Sequence, residues 1–534
     1  MGRLANRKLI LAAVFTVFLM GAVADPAKPV YPLRTNVTLN YWMDLHANVA
    51  LIAKNFGETV FARELQKRVG VKINYLHPAS GQAAEAFNLM LASGDLPDII
   101  EYKWFDVPGG PNNAINNGYI LRLNPLIDKY APNLKKFLMG HPEYDRMVKT
   151  DEGNYYVFPF IRGDATLLFT AGPVIRKDWL DELGLAVPET IDEWYTVLKA
   201  FKEKKKCPAP LTLPREKVSA GYAGSYPYIN QLFAGAFNNT NEFYVEKGKV
   251  KYGGIEPQRK LFLAEMNKWY REGLLDPDFA TTDRKTVDAN MLSGRSGACQ
   301  GSGGSGIGRY MQAMAGKEPK SFNLVAAPYP GPKKGVMSKF AVQSPLYGRG
   351  NNGSAAISAK CKYPEAAVRL LDYAYGEEGN MLYNFGILGA SYTMIDGYPT
   401  YTKLIMRNPG KLPVTTIMSK YMRAHTNGPF VQDKRYLEQY YELPQQKEAL
   451  KIWSKTGVLQ YMLPPVTPTK EESAELARIM NEIIAYTDEM TLKYIMGVEP
   501  LDTFDQYVAQ VKKMGIGRAI ELNQAALARY LKRK

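Results

Sequence analysis

The chain is expected to fold as α/β, with parallel strand–helix layers in two or more domains. Two observations lead there. Segments of strand character alternate with segments of helical period along the chain. At 534 residues it is also too long for one hydrophobic core. No internal repeat or long low-complexity linker breaks the pattern.

The N-terminus reads as a secretion signal. Arg3, Arg7 and Lys8 make a positive start, and Leu9 to Met20 is apolar except for Thr16. Ala22-Val23-Ala24 offers a small-x-small cleavage site, so residues 1–24 are read as removed. The apolar run is short for a bilayer span, and no later segment is long and apolar enough to be one. After Pro26, Pro29 and Pro32, Val37–Trp42 alternates like a strand. A helix is expected over Glu58–Val69, with Val60, Phe61, Leu65 and Val69 inward, then a strand at Val71–Tyr75.

The run Phe87–Ile100 carries the most local information. Phe87, Met90 and Leu91 keep helical spacing, and Gly94 can take the left-handed geometry that ends a helix. Pro97 forbids further helix and pushes Leu96 toward extended backbone. Asp98-Ile99-Ile100 then suits a buried strand. Tyr155–Phe158 is read as another strand.

A second region starts near Pro173. Val174–Leu180 reads as a strand running into a helix, and Thr190 with Glu193 forms a capping box. A helix is expected over Gln258–Glu272, ending at Gly273. Ala355–Ser358 is a strand. Pro364 opens a helix with Ala367, Leu370, Leu371 and Ala374 inward and Asp372 on the outer side. Thr469 and Glu472 form a second capping box. The helix after it carries Leu476, Ile479, Ile483, Tyr486 and Met490 on one core stripe and closes at Gly497.

Composition limits the chemistry. Cys207, Cys299 and Cys361 are far apart, so free thiols are expected over a disulfide, and no metal spacing is present. His46, His77, His141 and His425 are scattered, which argues against zinc. The formal charge of +15 falls to +12 once the three cations of the signal are removed. That excess suits an acidic ligand or an anionic surface, but no nucleic-acid motif accompanies it. Tyrosine is unusually common, 35 against 21 Phe, and its flat face with a polar tip suits wet recognition surfaces.

Several segments, taken in order, resemble family 1 extracellular solute-binding proteins of carbohydrate ABC importers. They are Asn88–Ile100, Asn124–Pro132, Ile175–Leu180, Pro188–Glu193, Lys268–Leu274, Phe504–Tyr507 and Lys513–Gly515. The resemblance runs from about Val37 to the C-terminus. It implies a two-lobed, periplasmic-binding-protein-like (type II) fold with hinge-linked α/β lobes and a cleft between them. The implied division is residues 25–165 and 346–390 in the N-lobe, 166–345 and 391–534 in the C-lobe. The order of segments further resembles the alginate-oligosaccharide-binding members, which implies an acidic, uronate-containing sugar. The implied partners are an oligosaccharide and the permease subunits of a transporter, with a monomer acting outside the cell and no cofactor. Leu19-Met20-Gly21-Ala22 resembles a lipoprotein cleavage box with Ala22 in place of the lipid-bearing Cys, which speaks against an anchor. Many relatives carry a calcium loop after the helix matching Glu193–Phe201. Here Lys202–Pro210 supplies one carboxylate among four lysines, so no calcium site is expected there.

Sheets of this kind bind ligands beyond the carboxyl ends of their strands. Trp42 ends the first strand, with Asp44 and His46 just beyond, and Tyr102 and Trp104 follow the Asp98 strand. These five are candidates for the cleft. Trp269 lies where the resemblance places a stacking tryptophan, although it also fits a core position beside Phe262 and Met266. Gly301–Gly306 is a Gly-rich turn whose amides can hold hydroxyls or a carboxylate, and it is not a phosphate loop. Arg309 follows it and can grip a uronate at two points. Tyr392 falls where the resemblance implies the last crossing between lobes. A secreted hydrolase or lyase is the alternative reading, and it needs paired carboxylates or a Tyr/His arrangement at the cleft. No catalytic motif supports it. An adhesion or sensing protein of the same fold is a third reading.

Overall fold

The computed structural model describes residues 30–107, 109–215, 218–219, 225–226, 228–342, 347 and 353–533. The expected secretion signal lies outside the described residues. Two four-stranded sheets organise the chain. In the N-lobe, Thr38–Trp42 lies between Lys72–Leu76 and Ile99–Tyr102, parallel to both. The returning strand Ser354–Ile357 adds antiparallel to Ile99–Tyr102 at the edge. In the C-lobe, Ala171–Arg176 pairs antiparallel with Ala298–Ser302 and Leu324–Ala326, and Leu211–Thr212 joins parallel to Ala298–Ser302.

Local chemistry accounts for the element ends. The helix Ala83–Ser93 stops at Gly94, at φ 71°, whose N–H reaches the Met90 carbonyl. Thr59 caps Val60–Val69 through the Ala62 amide. The Thr469 box caps the 27-residue helix Lys470–Met496 in both directions, and Gly497 ends it in the left-handed region. The Thr190 hydroxyl accepts from the Glu193 amide, but Glu193 reaches back one residue further than expected, to the Glu189 amide at 2.7 Å.

Two expectations fail. Tyr155–Phe158 is no strand, since Tyr155 and Phe158 form only single bridges, to Lys149 and Ala355. Asp372 is fully buried. It accepts from the Leu134 amide at 2.8 Å and from the Asn133 side chain at 2.9 Å, so it caps the helix Pro132–Gly140 from another part of the chain.

Three apolar cores form. The N-lobe core gathers residues from Leu39 to Ile161, then from Tyr347 to Tyr383, with Phe430. The C-lobe core runs from Leu168 to Tyr329 and resumes at Ala449. A third, smaller core holds Phe385, Tyr392, Tyr401, Met418, Tyr436 and Tyr441. Residues 391–441 therefore pack largely on themselves instead of extending the C-lobe. The crossing strand Ile161–Arg162 pairs in parallel with Val431–Gln432, which fixes this third unit to the first exit from the N-lobe.

Candidate functional site

The carboxyl ends of Thr38–Trp42 and Ile99–Tyr102 form one wall. Trp42 meets Tyr102 edge-on at 5.9 Å, and Tyr102 stacks on Phe87 at 4.0 Å between centroids. Tyr102 is half-buried. Burial first, then the charges of Asp106 and Asp44, raise its hydroxyl above the usual value. The exposed Asp44 thus stands beside an aromatic ledge.

His46 starts the short helix that follows. Its Nδ1 accepts from the Asn48 amide at 3.1 Å, so the ring proton sits on Nε2. His425 of the third unit faces it, with ring centroids 6.2 Å apart, and Tyr440 meets His425 at 5.8 Å. Burial, then His46, pushes His425 down to about 4. Burial and the Arg423 charge lower His46 against the pull of Asp44. Both imidazoles are therefore neutral at pH 7; with Nδ1 of His46 taken by Asn48, His46 offers a hydroxyl its Nε2 donor.

Arg423 anchors this unit to the N-lobe. Its two terminal nitrogens grip Glu101 at 2.9 and 2.7 Å, and the Tyr41 hydroxyl donates to the same carboxylate at 2.7 Å. Beyond Tyr440 lies the C-lobe. Ser302 at the end of a C-lobe strand accepts from the Ser305 amide, and Gly303–Gly308 winds as a single π-helical stretch. A Cβ on Gly303 would lie 2.5 Å from the Tyr441 ring, and one on Gly304 would lie 2.9 Å from the Tyr440 hydroxyl. Glycine is required here because backbone and tyrosine approach this closely. The Gln446 side chain donates to the Gly303 carbonyl at 2.8 Å and holds the turn. His46, His425, Tyr440 and Gly304 thus form a line through all three units.

The structure separates the candidates. Trp42 and Tyr102 are the last residues of their N-lobe strands, with Asp44 and His46 just beyond Trp42. Trp42 is buried in the N-lobe core, whereas Tyr102 is half-buried. Trp104 does not face a cleft: it is fully buried against Phe87, with its indole N–H on the Ile100 carbonyl at 2.8 Å. Trp269 is also fully buried, edge-on to Phe233, with its N–H on Glu265 at 2.8 Å. Neither ring has a free face for stacking. Arg309 is half-exposed, but Asp288 holds it at two points, and Ser305 O accepts from its Nε at 2.9 Å. Tyr392 is buried in the third core. It feels the charges of Arg68 and Glu378, beside the C-terminal end of Val60–Val69. That end lies at the opening edge of the N-lobe strands, opposite the ledge. Sequence reasoning missed Tyr440, Tyr441, His425 and the Glu101–Arg423 pair. Apart from Glu101, in the strand Ile99–Tyr102, they come from a segment with no motif, and only Tyr440-Tyr441 as adjacent aromatics offered any signal.

Other polar groups have local uses. The three cysteines are free, with burial pushing Cys207 up to about 11 and Cys299 to about 12. Lys202 donates to the Glu272 carbonyl and Lys205 pairs with Glu182. Among the described residues no group of three or more His, Cys, Asp or Glu is placed to hold a metal ion, and no helix is long and apolar enough to cross a membrane. A cavity of about 920 Å³ lies wholly in the C-lobe, between Val325 and Ile452. It occupies the face of the helix Pro444–Trp453 opposite Gln446, and so lies apart from the aromatic line.

Residues 50–381 match the bacterial extracellular solute-binding protein family, and the chain belongs to it. It is 37% identical over 255 residues to the fructooligosaccharide ABC transporter substrate-binding protein FusA of Streptococcus pneumoniae serotype 4 (strain ATCC BAA-334 / TIGR4). That match spans about half of each protein, 46% of both. It is 27% identical over 361 residues to lipoprotein LipO of Bacillus subtilis (strain 168), covering 66% of this chain and 67% of LipO. Among solved structures it resembles the alginate-binding protein AlgQ2 without calcium ion, at 26% identity and a TM-score of 0.71, over 93% of this chain and 99% of that one. The fold also matches S. pneumoniae FusA in complex with kestose, at 21% identity and a TM-score of 0.71, over 93% and 100% of the two chains. The two-lobed α/β architecture is that of this family.

Proposed function

We propose that this chain is the extracellular receptor of a carbohydrate ABC importer: it captures an oligosaccharide between its lobes and delivers it to permease subunits without chemical change. The observation that carries the reading is the line from the half-buried Tyr102 through His46, His425 and Tyr440 to Gly304. Aromatic faces suit the apolar C–H faces of sugar rings. The neutral imidazoles suit hydroxyls. The names of AlgQ2 and FusA point to alginate and fructooligosaccharide as classes to try first. Ligand stabilises the closed lobes and so the fold by mass action. The protein acts as a monomer outside the cell.

A thermal-shift screen of the mature chain against neutral oligosaccharides, uronate oligosaccharides and peptides tests this, with calorimetry on hits. A shift with one sugar class and unchanged sugar recovered afterwards is the expected result. Turnover of the sugar would replace the receptor with an enzyme, and a response to peptides alone would remove the carbohydrate reading.

A further inference from the structure

Asp151 sits in the N-lobe turn Thr150–Asn154, which closes through the Thr150 amide to the Asn154 carbonyl at 3.0 Å. Asn124 fastens the turn to the lobe: its Nδ2 donates to the Gly153 carbonyl at 2.9 Å, and its Oδ1 accepts from the Tyr155 amide at 3.0 Å. Two guanidiniums from the end of the C-lobe converge on this carboxylate. Arg529, in the last helix, donates from Nε to Oδ2 at 2.9 Å, and Arg533, in the turn after it, donates from Nε to Oδ1 at 2.7 Å. Arg529 also holds Glu472 at 3.0 Å, at the start of the long helix Lys470–Met496. The Thr467 hydroxyl donates to Asp151 at 3.1 Å.

The cluster is shielded from water. The side chain of Arg533 is 0% exposed and that of Asp151 is 12% exposed. Lys532, next to Arg533, is exposed. Beside the cluster a cavity of about 450 Å³ separates Val107, Gly110 and Asn113 of the N-lobe from Thr467, Pro468 and Ser473 of the C-lobe. Apolar packing between the lobes is therefore incomplete there, while the charged contact next to it is tight.

We infer that the C-terminal turn Leu531–Arg533 is a strap between the lobes, which holds them at a preferred angle through Asp151. Moving the lobes apart breaks these contacts and returns both charges to water, so the pair enters the balance between lobe angles as the difference between its attraction and the hydration regained. Its two halves belong to different lobes. Its strength therefore enters the equilibrium between lobe angles, and through that equilibrium it sets the fraction of ligand-free molecules poised to bind.

The test uses spin labels at the exposed positions Lys136 and Leu261, one on each lobe, in the full chain with C361S, and measures distances between them without ligand. D151N and R533Q should broaden the distance distribution, whereas K532Q should match the unaltered chain. D151N keeps the shape of the side chain and an acceptor, and so guards against simple misfolding. Unchanged distributions in D151N and R533Q, whatever their melting temperatures, would make the cluster a static brace and overturn the strap. So would broadening in K532Q equal to theirs. No ligand enters the measurement, so its outcome is independent of the oligosaccharide reading.

Discussion

Arg176 and Asp178 are two residues apart in the chain, whereas Arg423 and Glu101 are 322 apart, and both pairs are buried with two-point contacts. Arg176 lies between the rings of Trp179 and Phe322, each 4.4 Å from its guanidinium. That pair stiffens the passage from a C-lobe strand into the helix Lys177–Leu183. Arg423 lies over Phe56 and carries the segment that presents His425 to His46. The same chemistry thus has two consequences. The local pair stabilises one lobe, and the distant pair also sets the shape of the candidate site.

The largest effect expected is from Glu101→Gln. Leaving Arg423 buried without its anion should cost about 3–5 kcal/mol in denaturant unfolding. The same substitution should weaken sugar binding by about tenfold or more, because His425 loses its support. Asp178→Asn should cost a similar amount of stability and leave the affinity of the folded protein within about twofold, since it lies apart from the aromatic line. Equal losses of affinity in the two variants would break the comparison.

Tyr440→Ala removes a ring that bridges His425 and the Gly304 backbone. Calorimetry should show about a tenfold weaker sugar complex, with Tyr440→Phe retaining most of the affinity. Equal affinity in Tyr440→Ala would move the site away from this line.

The smallest effect concerns Asp372, a buried N-lobe carboxylate that lies among amide donors. Burial pushes it up to about 7 despite the hydrogen bonds from Leu134 and Asn133. The folded value lies above the unfolded one, so its stabilising contribution is present below about pH 4 and is lost as pH rises through about 7. The stability of the unaltered chain relative to Asp372→Asn should therefore fall by about 1–2 kcal/mol between pH 5 and pH 8. A flat difference across that range would mean a carboxylate ionised throughout.

Much of the fold was legible from local rules. Gly94 and Gly497 end their helices because the left-handed turn costs glycine little, and Thr469 starts one because its hydroxyl meets an orphan amide. The Arg176–Asp178 pair falls inside a segment already singled out for its order of residues. Of the candidate site, the ledge at Trp42, Asp44, His46 and Tyr102 followed from a topological rule about strand ends. Asp372 was misjudged because helical spacing gives a residue's face but not what covers that face. Trp104 and Trp269 were misjudged because an aromatic at helical or strand-end spacing reads alike whether it meets a ligand or a core.

The chain alone therefore determined the alternation of strands and helices, their caps, the family and the residues of one wall of the candidate site. These depend on neighbours a few residues away, where geometry is set by backbone sterics and hydrogen-bond reach. Tertiary structure decided which tryptophans are covered, that Asp288 occupies Arg309, and that residues 391–441 build a third core. It also brought Arg423 to Glu101 and Arg533 to Asp151. These last two contacts join residues hundreds of positions apart. Their pairing energy is realised only after both lobes have packed, and no local pattern encodes it.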